Sequence, residues 1–278
     1  MKRFRKVYLE ISNICNLRCH FCPGTQRAPR RLSVEEFRRI LTKLRPYTSF
    51  LYFHLMGEPL CHPELSSFLS LAQAHDFRVI LTTNGTLLPR QKEILLNAPA
   101  LHKINISLHA FEANDLSLPF SDYLDGCFSF GKAARGGPLV VYRLWNQGGE
   151  DGKNSEILKA MEQSFPMPWV TERRGTRIAD SVYLEYGDKF EWPDLDAQEG
   201  SADLFCYGLR DQIGVLCDGT VVPCCLDHEG DIALGNLLEQ SLEEILSSPR
   251  AQALYDGFSR REAAELLCRR CGYARRFE

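Results

Sequence analysis

Three cysteines fall within eight residues in the stretch CNLRCHFC: Cys15, Cys19 and Cys22, at gaps of three and two, directly after a short apolar run. Zinc sites most often show paired C-x2-C knuckles or add histidines, whereas three thiolates on one loop suit a four-iron cluster that keeps one iron open for another ligand. His20 sits between two of these cysteines and would have to turn back into the same cluster to serve as a fourth ligand. A second group gathers near the other end: Cys206, Cys217, Cys224, Cys225 and the pair Cys268-x2-Cys271. Cys61 and Cys127 have no partner spacing, which predicts small buried residues, and the remaining histidines form no ligand pattern.

The elements that must position these thiols alternate. Val7 to Ile11 suits a buried parallel strand; LSVEEFRRILTKL then opens a helix with a capping box, Ser33 with Glu36, and a staple, Leu32 with Phe37. Further strands are expected at Phe50 to Leu55, Arg78 to Thr83, Lys103 to Leu108 and Leu139 to Leu144. Helices are expected around Glu64 to His75, Arg90 to Asn97, Tyr123 to Ala134 and Ser155 to Phe165. A sixth strand is placed near Trp169 to Thr171, inside an otherwise irregular connection. Repeated βα units predict an α/β fold with a partial (βα)6 barrel resembling a TIM barrel. From Cys206 the pattern changes: IGVLCDGTVVP reads as a hairpin about Asp218-Gly219, and a second capping box, Ser241 with Glu244, opens a helix. The expected division is a barrel over 1–200 and a small cysteine-rich α+β domain, hairpin plus helix, over 201–278.

A formal charge of −3 with 44% hydrophobic and 25% charged residues is ordinary globular composition and argues against a broad nucleic-acid surface. MKRFRKVYLEIS lacks an apolar core of signal-peptide length, and no run approaches a membrane span, so a cytoplasmic location and no membrane partner are expected. Thiols stay reduced there, and eleven cysteines are then better explained by metal binding or catalysis than by disulfides.

The cysteine loop at the end of the first strand, with aromatic Phe21 before its third cysteine, resembles that of the radical S-adenosylmethionine (SAM) enzymes. MGEPL, from Met56 to Leu60, resembles the family's Gly-Gly-Glu turn; TTNGTLL ends the third strand and SLHA the fourth. The resemblance implies a [4Fe–4S] cluster on Cys15, Cys19 and Cys22 that cleaves SAM reductively to a 5′-deoxyadenosyl radical. It implies SAM contacts at Phe21, Gly57, Glu58, Asn84, Ser107 and Arg143, with a one-electron reductant such as flavodoxin or ferredoxin as partner. Cys206, Gly219, Cys224 and the Cys268/Cys271 pair resemble a shortened SPASM domain, the twitch form. That implies one auxiliary [4Fe–4S] cluster on Cys206, Cys224, Cys268 and Cys271, with Cys225 or Cys217 as substitute ligands. The expected substrate is a peptide or protein side chain; the alternative is a small metabolite or nucleobase-like molecule in a lyase or rearrangement reaction. No residue is singled out as catalytic beyond these. Two other classes remain: a zinc-stabilised binding protein, and a thiol–disulfide oxidoreductase using Cys268 and Cys271.

Overall fold

The expected alternation forms in a computed structural model that describes residues 3–173 and 175–277. Five βα units run β1 (Lys6–Leu9), α1 (Val34–Leu44), β2 (Phe50–Phe53), α2 (Leu65–Ala74), β3 (Arg78–Thr83), α3 (Leu88–Leu96), β4 (Leu101–Ser107), α4 (Phe120–Ala133), β5 (Leu139–Gln147) and α5 (Asn154–Ser164). Then come β6 (Val170–Glu172), β7 (Gly175–Ala179), β8 (Val182–Asp188), β9 (Gln212–Val215), β10 (Thr220–Val222), β11 (Gly235–Asn236), α6 (Leu242–Leu246), α7 (Pro249–Ser259) and α8 (Leu266–Arg269). They join one sheet in the order β11-β10-β9-β1-β2-β3-β4-β5-β8-β7-β6.

Alternation along the strands assigns their two faces. Val7, Leu9, Leu51, Phe53, Val79, Leu81, Ile104, Ile106, Val140 and Tyr142 are fully buried beneath the helices. The intervening Tyr8, Tyr52, Ile80, Thr82, Asn105, Ser107 and Arg143 line the lumen. Helix α1 shows why the helices stay in place: Ser33 and Glu36 form the reciprocal capping box, and Phe37, Ile40, Leu41 and Leu44 make one apolar stripe.

The sixth parallel strand differs from its expected position. Val170–Glu172 forms β6, but it pairs antiparallel with β7 at the outer edge; β8 is the strand that pairs parallel with β5. Ile178, Val182 and Leu184 are buried, yet the turn between β7 and β8 uses Ser181 at φ +59 in place of a glycine, so it carries no turn signal.

The C-terminal hairpin folds at Asp218-Gly219, where Gly219 has φ +90 and Asp218 Oδ1 accepts the Thr220 amide at 2.9 Å. β9 pairs parallel with β1, from Lys6↔Gln212 to Leu9↔Val215, so the hairpin extends the barrel sheet.

Candidate functional site

The three-cysteine loop leaves β1 at Ser12 and is closed at its base by Asn13, whose side chain donates to Ala28 O at 2.9 Å and accepts the Arg30 amide at 2.7 Å. The Cys22 amide donates to Cys19 O, making a tight turn. Cys15 and Cys22 are exposed and Cys19 is half-buried. Sulfur lone pairs already receive donors: Leu17 N at 3.4 Å to Cys15 Sγ, and Asn114 Nδ2 at 3.1 Å to Cys19 Sγ. Partial burial pushes Cys15 up to about 11 and raises Cys19 and Cys22 in the same direction, so ionising them needs a cation to displace the protons.

The MGEPL turn packs directly under this loop. Gly57 has φ +75, and a Cβ there would clash with Ser12 O, so only glycine permits the approach. The Glu58 amide donates to Ile14 O at 3.0 Å, while its carboxylate is buried and accepts the Leu60 amide at 3.0 Å and the Asn84 amide at 2.8 Å. Burial outweighs those hydrogen bonds and raises Glu58 to about 7. Asn84 in turn donates to Asn16 Oδ1 at 3.0 Å and accepts from the Thr86 hydroxyl at 2.7 Å, which fixes the TNG turn against the cysteine loop.

Inside the strands lies a cavity of about 490 Å³. Phe21, Ser107 and Arg143 line it, as do Cys206, Cys224, Cys268 and Cys271, whereas Gly57, Glu58, Asn84 and the three loop cysteines stand outside its lining. Phe21 packs against the His109 ring at 5.1 Å. Arg143 donates from Nε to Glu185 Oε2 at 3.0 Å and lies 4.3 Å from the Trp145 ring, so the sequence expectation of a ligand contact meets an arginine already paired on one edge.

The four C-terminal cysteines assigned to one cluster, Cys206, Cys224, Cys268 and Cys271, all line this cavity. Burial, with the neighbouring thiols adding to it, pushes Cys206 up to about 11 and Cys224 and Cys268 well above the thiol range. A set of desolvated thiols facing one cavity suits a cationic iron–sulfur core, which removes the cost of their ionisation. Among the described residues no three Cys, His, Asp or Glu side chains converge as a single-ion site requires. Cys225 lines the same cavity and packs against the group formed by Tyr8, Leu55, Leu216 and Val222.

Several contributors carried no motif. Glu10 and Arg27 form a buried bidentate pair at 2.9 and 2.7 Å; Glu10 also accepts the Met56 and Cys217 amides, and Arg27 Nε donates to His228 O. Cys127 is buried as expected, whereas Cys61 is half-buried and its thiol donates to Asn16 Oδ1 at 3.7 Å, beside the cysteine loop. Glu185 lies opposite Arg143 in register. The alternation of the lumen residues with fully buried ones along β1 to β5 is the signal that could have revealed the lumen wall, and the sequence reading did not use it.

Comparison with known proteins agrees with this arrangement. The family model described as the radical SAM superfamily matches residues 9–125, and that described as SPASM, an iron–sulfur cluster-binding domain, matches residues 206–272. The chain belongs to the radical SAM superfamily and carries a C-terminal SPASM domain; the first implies a [4Fe–4S] cluster and SAM, the second auxiliary iron–sulfur. A GTP 3′,8-cyclase from Chlorobaculum tepidum is 32% identical over 110 residues, covering 38% of this chain and 33% of that one. The mycofactocin maturase MftC of Mycolicibacterium smegmatis is 28% identical over 151 residues, covering 54% and 36%. The alignments thus span about a third of the length of such curated relatives. The fold is similar to BtrN in complex with AdoMet and 2-DOIA (TM-score 0.64, 17% identity, 98% of this chain and 94% of that one). It is likewise similar to Streptococcus suis SuiB bound to its precursor peptide SuiA (TM-score 0.66, 15% identity, 98% and 70%).

Proposed function

We propose that this chain is an enzyme that binds SAM beside a [4Fe–4S] cluster held by Cys15, Cys19 and Cys22, with a barrel over 1–200 and the SPASM-type domain over 201–278. The cluster, when bound, supplies the electron that cleaves SAM to a 5′-deoxyadenosyl radical able to take hydrogen from a substrate carbon. The observation that supports this reading is the single cavity running from Phe21, Ser107 and Arg143 to the C-terminal cysteines, because it leaves room for substrate between two metal-ligating groups.

Each residue then has a task. Gly57 lets the turn approach the loop closely, and Glu58, ionised, holds the SAM amino group. Asn84 and Ser107 orient the ribose and carboxylate. Arg143 donates one hydrogen bond among the described residues, from Nε, so its terminal nitrogens remain for a carboxylate in the bidentate manner that suits a guanidinium. Cys206, Cys224, Cys268 and Cys271 hold one auxiliary cluster.

The substrate reading remains a peptide or protein side chain reached through the open side of the barrel, in keeping with the peptide seen with SuiB. A small metabolite is the second reading, favoured by a cavity within the range of small-molecule sites and by an alignment covering nearly the whole of BtrN. A low-potential one-electron reductant and a cytoplasmic setting complete the proposal; no helix among the described residues is long and apolar enough to cross a membrane. Anaerobically purified, reduced protein should convert SAM to 5′-deoxyadenosine. A colourless protein carrying zinc without iron or sulfide would overturn the assignment in favour of a zinc-stabilised fold.

A further inference from the structure

We propose that Asn114 is a positioning residue for the cluster of the three-cysteine loop: its side-chain N–H, held against Cys19 Sγ, raises the reduction potential of that site. The inference rests on the SAM-cleaving function above and goes beyond it by naming a residue outside the loop that sets how readily the cluster accepts its electron.

Asn114 belongs to the turn after β4, far from the cysteine loop in sequence but docked on it. Asn114 Nδ2 donates to Cys19 Sγ at 3.1 Å across 95 residues, and the Arg18 amide donates to Asn114 Oδ1 at 3.0 Å. The same nitrogen donates to Ala110 O at 2.7 Å, and beside it the His20 amide donates to Ala113 O at 3.3 Å. An asparagine amide carries two N–H donors on its nitrogen and one acceptor oxygen. All are engaged here, and the partners fix which end is which. The Arg18 amide needs an acceptor and Ala110 O needs a donor, so the nitrogen is the atom that faces sulfur.

This donor differs from those at Cys15. Cys15 Sγ receives the Leu17 amide at 3.4 Å from within the loop, and Asn84 Nδ2 stands off at 4.0 Å. The Asn114 contact is the shortest of the three, and it comes from a side chain that a separate element holds in place.

An electron added to an iron–sulfur cluster makes its thiolate sulfurs more negative. An N–H dipole aimed at one of them stabilises the reduced state more than the oxidised state, so the potential rises. Because the amide is already tied to Ala110 and Arg18, it needs no reorientation when the charge arrives. One electron passes from the one-electron reductant to the cluster, no proton moves, and no bond at Asn114 forms or breaks.

Two substitutions separate this role from simple support of the loop. Asn114→Asp keeps an oxygen for the Arg18 amide but puts an acceptor where the donor was, and Asn114→Leu removes the donor at similar volume without adding charge. Iron-loaded parent and variants would be poised anaerobically with redox mediators over a series of potentials, recording the EPR signal of the reduced cluster that changes on adding SAM. Both variants should keep the parent's iron and sulfide. In both, that signal should titrate at a lower midpoint, with the reduced-to-oxidised ratio at the parent's midpoint down about tenfold, or about 59 mV for one electron. The SAM-insensitive C-terminal signal should not move. An unchanged midpoint in either variant, an equal shift of both signals, or loss of iron from the N-terminal site would overturn this inference alone. A parent with no SAM-responsive signal would overturn the functional assignment, and this inference with it.

Discussion

The two cysteine groups solve the problem of holding metal in opposite ways. At the N-terminal loop three thiols come from one stretch of chain, two of them exposed, and their geometry depends on turns packed beneath them: Gly57 against Ser12, and Asn84 against Asn16. At the C-terminal group the four proposed ligands come from three separate stretches, each cysteine half-buried, and long-range folding brings them together. A local loop of three leaves a coordination position for a cofactor, whereas four ligands from distant segments close their cluster and tie down a small domain. The buried Glu10–Arg27 pair joins the two regions, since it links the exit of β1, the segment after the cysteine loop, the MGEPL turn and the hairpin.

Removing one group should leave the other intact, and this is the largest effect expected. With Cys15, Cys19 and Cys22 all replaced by Ala, formation of 5′-deoxyadenosine should vanish while about four irons per chain remain; retained SAM cleavage, or no iron, would break the division into two sites. The converse change, Cys224→Ala, should remove the C-terminal iron and increase proteolysis beyond residue 200, whereas Cys225→Ala should do neither, as metal analysis and limited digestion would show.

Cutting the link between the regions comes next. Arg27→Gln leaves Glu10 buried and unpaired, a change that costs about 3–5 kcal/mol, read as a lower urea midpoint and as faster hydrogen exchange in both the cysteine loop and the hairpin. An effect confined to one of them would show that the pair does not connect the two.

The smaller effects sharpen the reading of the N-terminal site. Glu58→Ala should weaken SAM binding by roughly 1.5–3 kcal/mol, the worth of one charge-assisted contact, without changing iron content. In the parent, Glu58 raised from 4.5 to about 7 is mostly protonated below that value, so affinity for the SAM ammonium should rise as pH increases through about 7. Stability of the SAM-free protein has the opposite slope. The folded state holds this proton more tightly than the unfolded chain, so the contribution is fully present below about 4.5 and is lost as pH rises through about 7. Glu58→Gln should flatten both profiles in calorimetric titrations and thermal melts; an unchanged pH dependence would assign them to another group.

What the sequence by itself determined is what short-range chemistry encodes. The cysteine gaps, the two capping boxes and the Asp218-Gly219 turn each depend on residues a few positions apart, and the boxes and the turn are found where the residues put them. Tertiary structure alone decided the rest. The sixth parallel strand is β8 because pairing with β5 is selected by the whole sheet, and its Ser181 turn advertises nothing locally. Glu10 and Arg27 meet across 17 residues, Arg143 and Glu185 across 42, and Glu10 and the Cys217 amide across 207. The packing of Cys225 against the Tyr8 group follows from the β9–β1 register, which no spacing within the hairpin contains. Contacts of that kind depend on loop closure and on burial of the whole lumen, and no short window of sequence carries either.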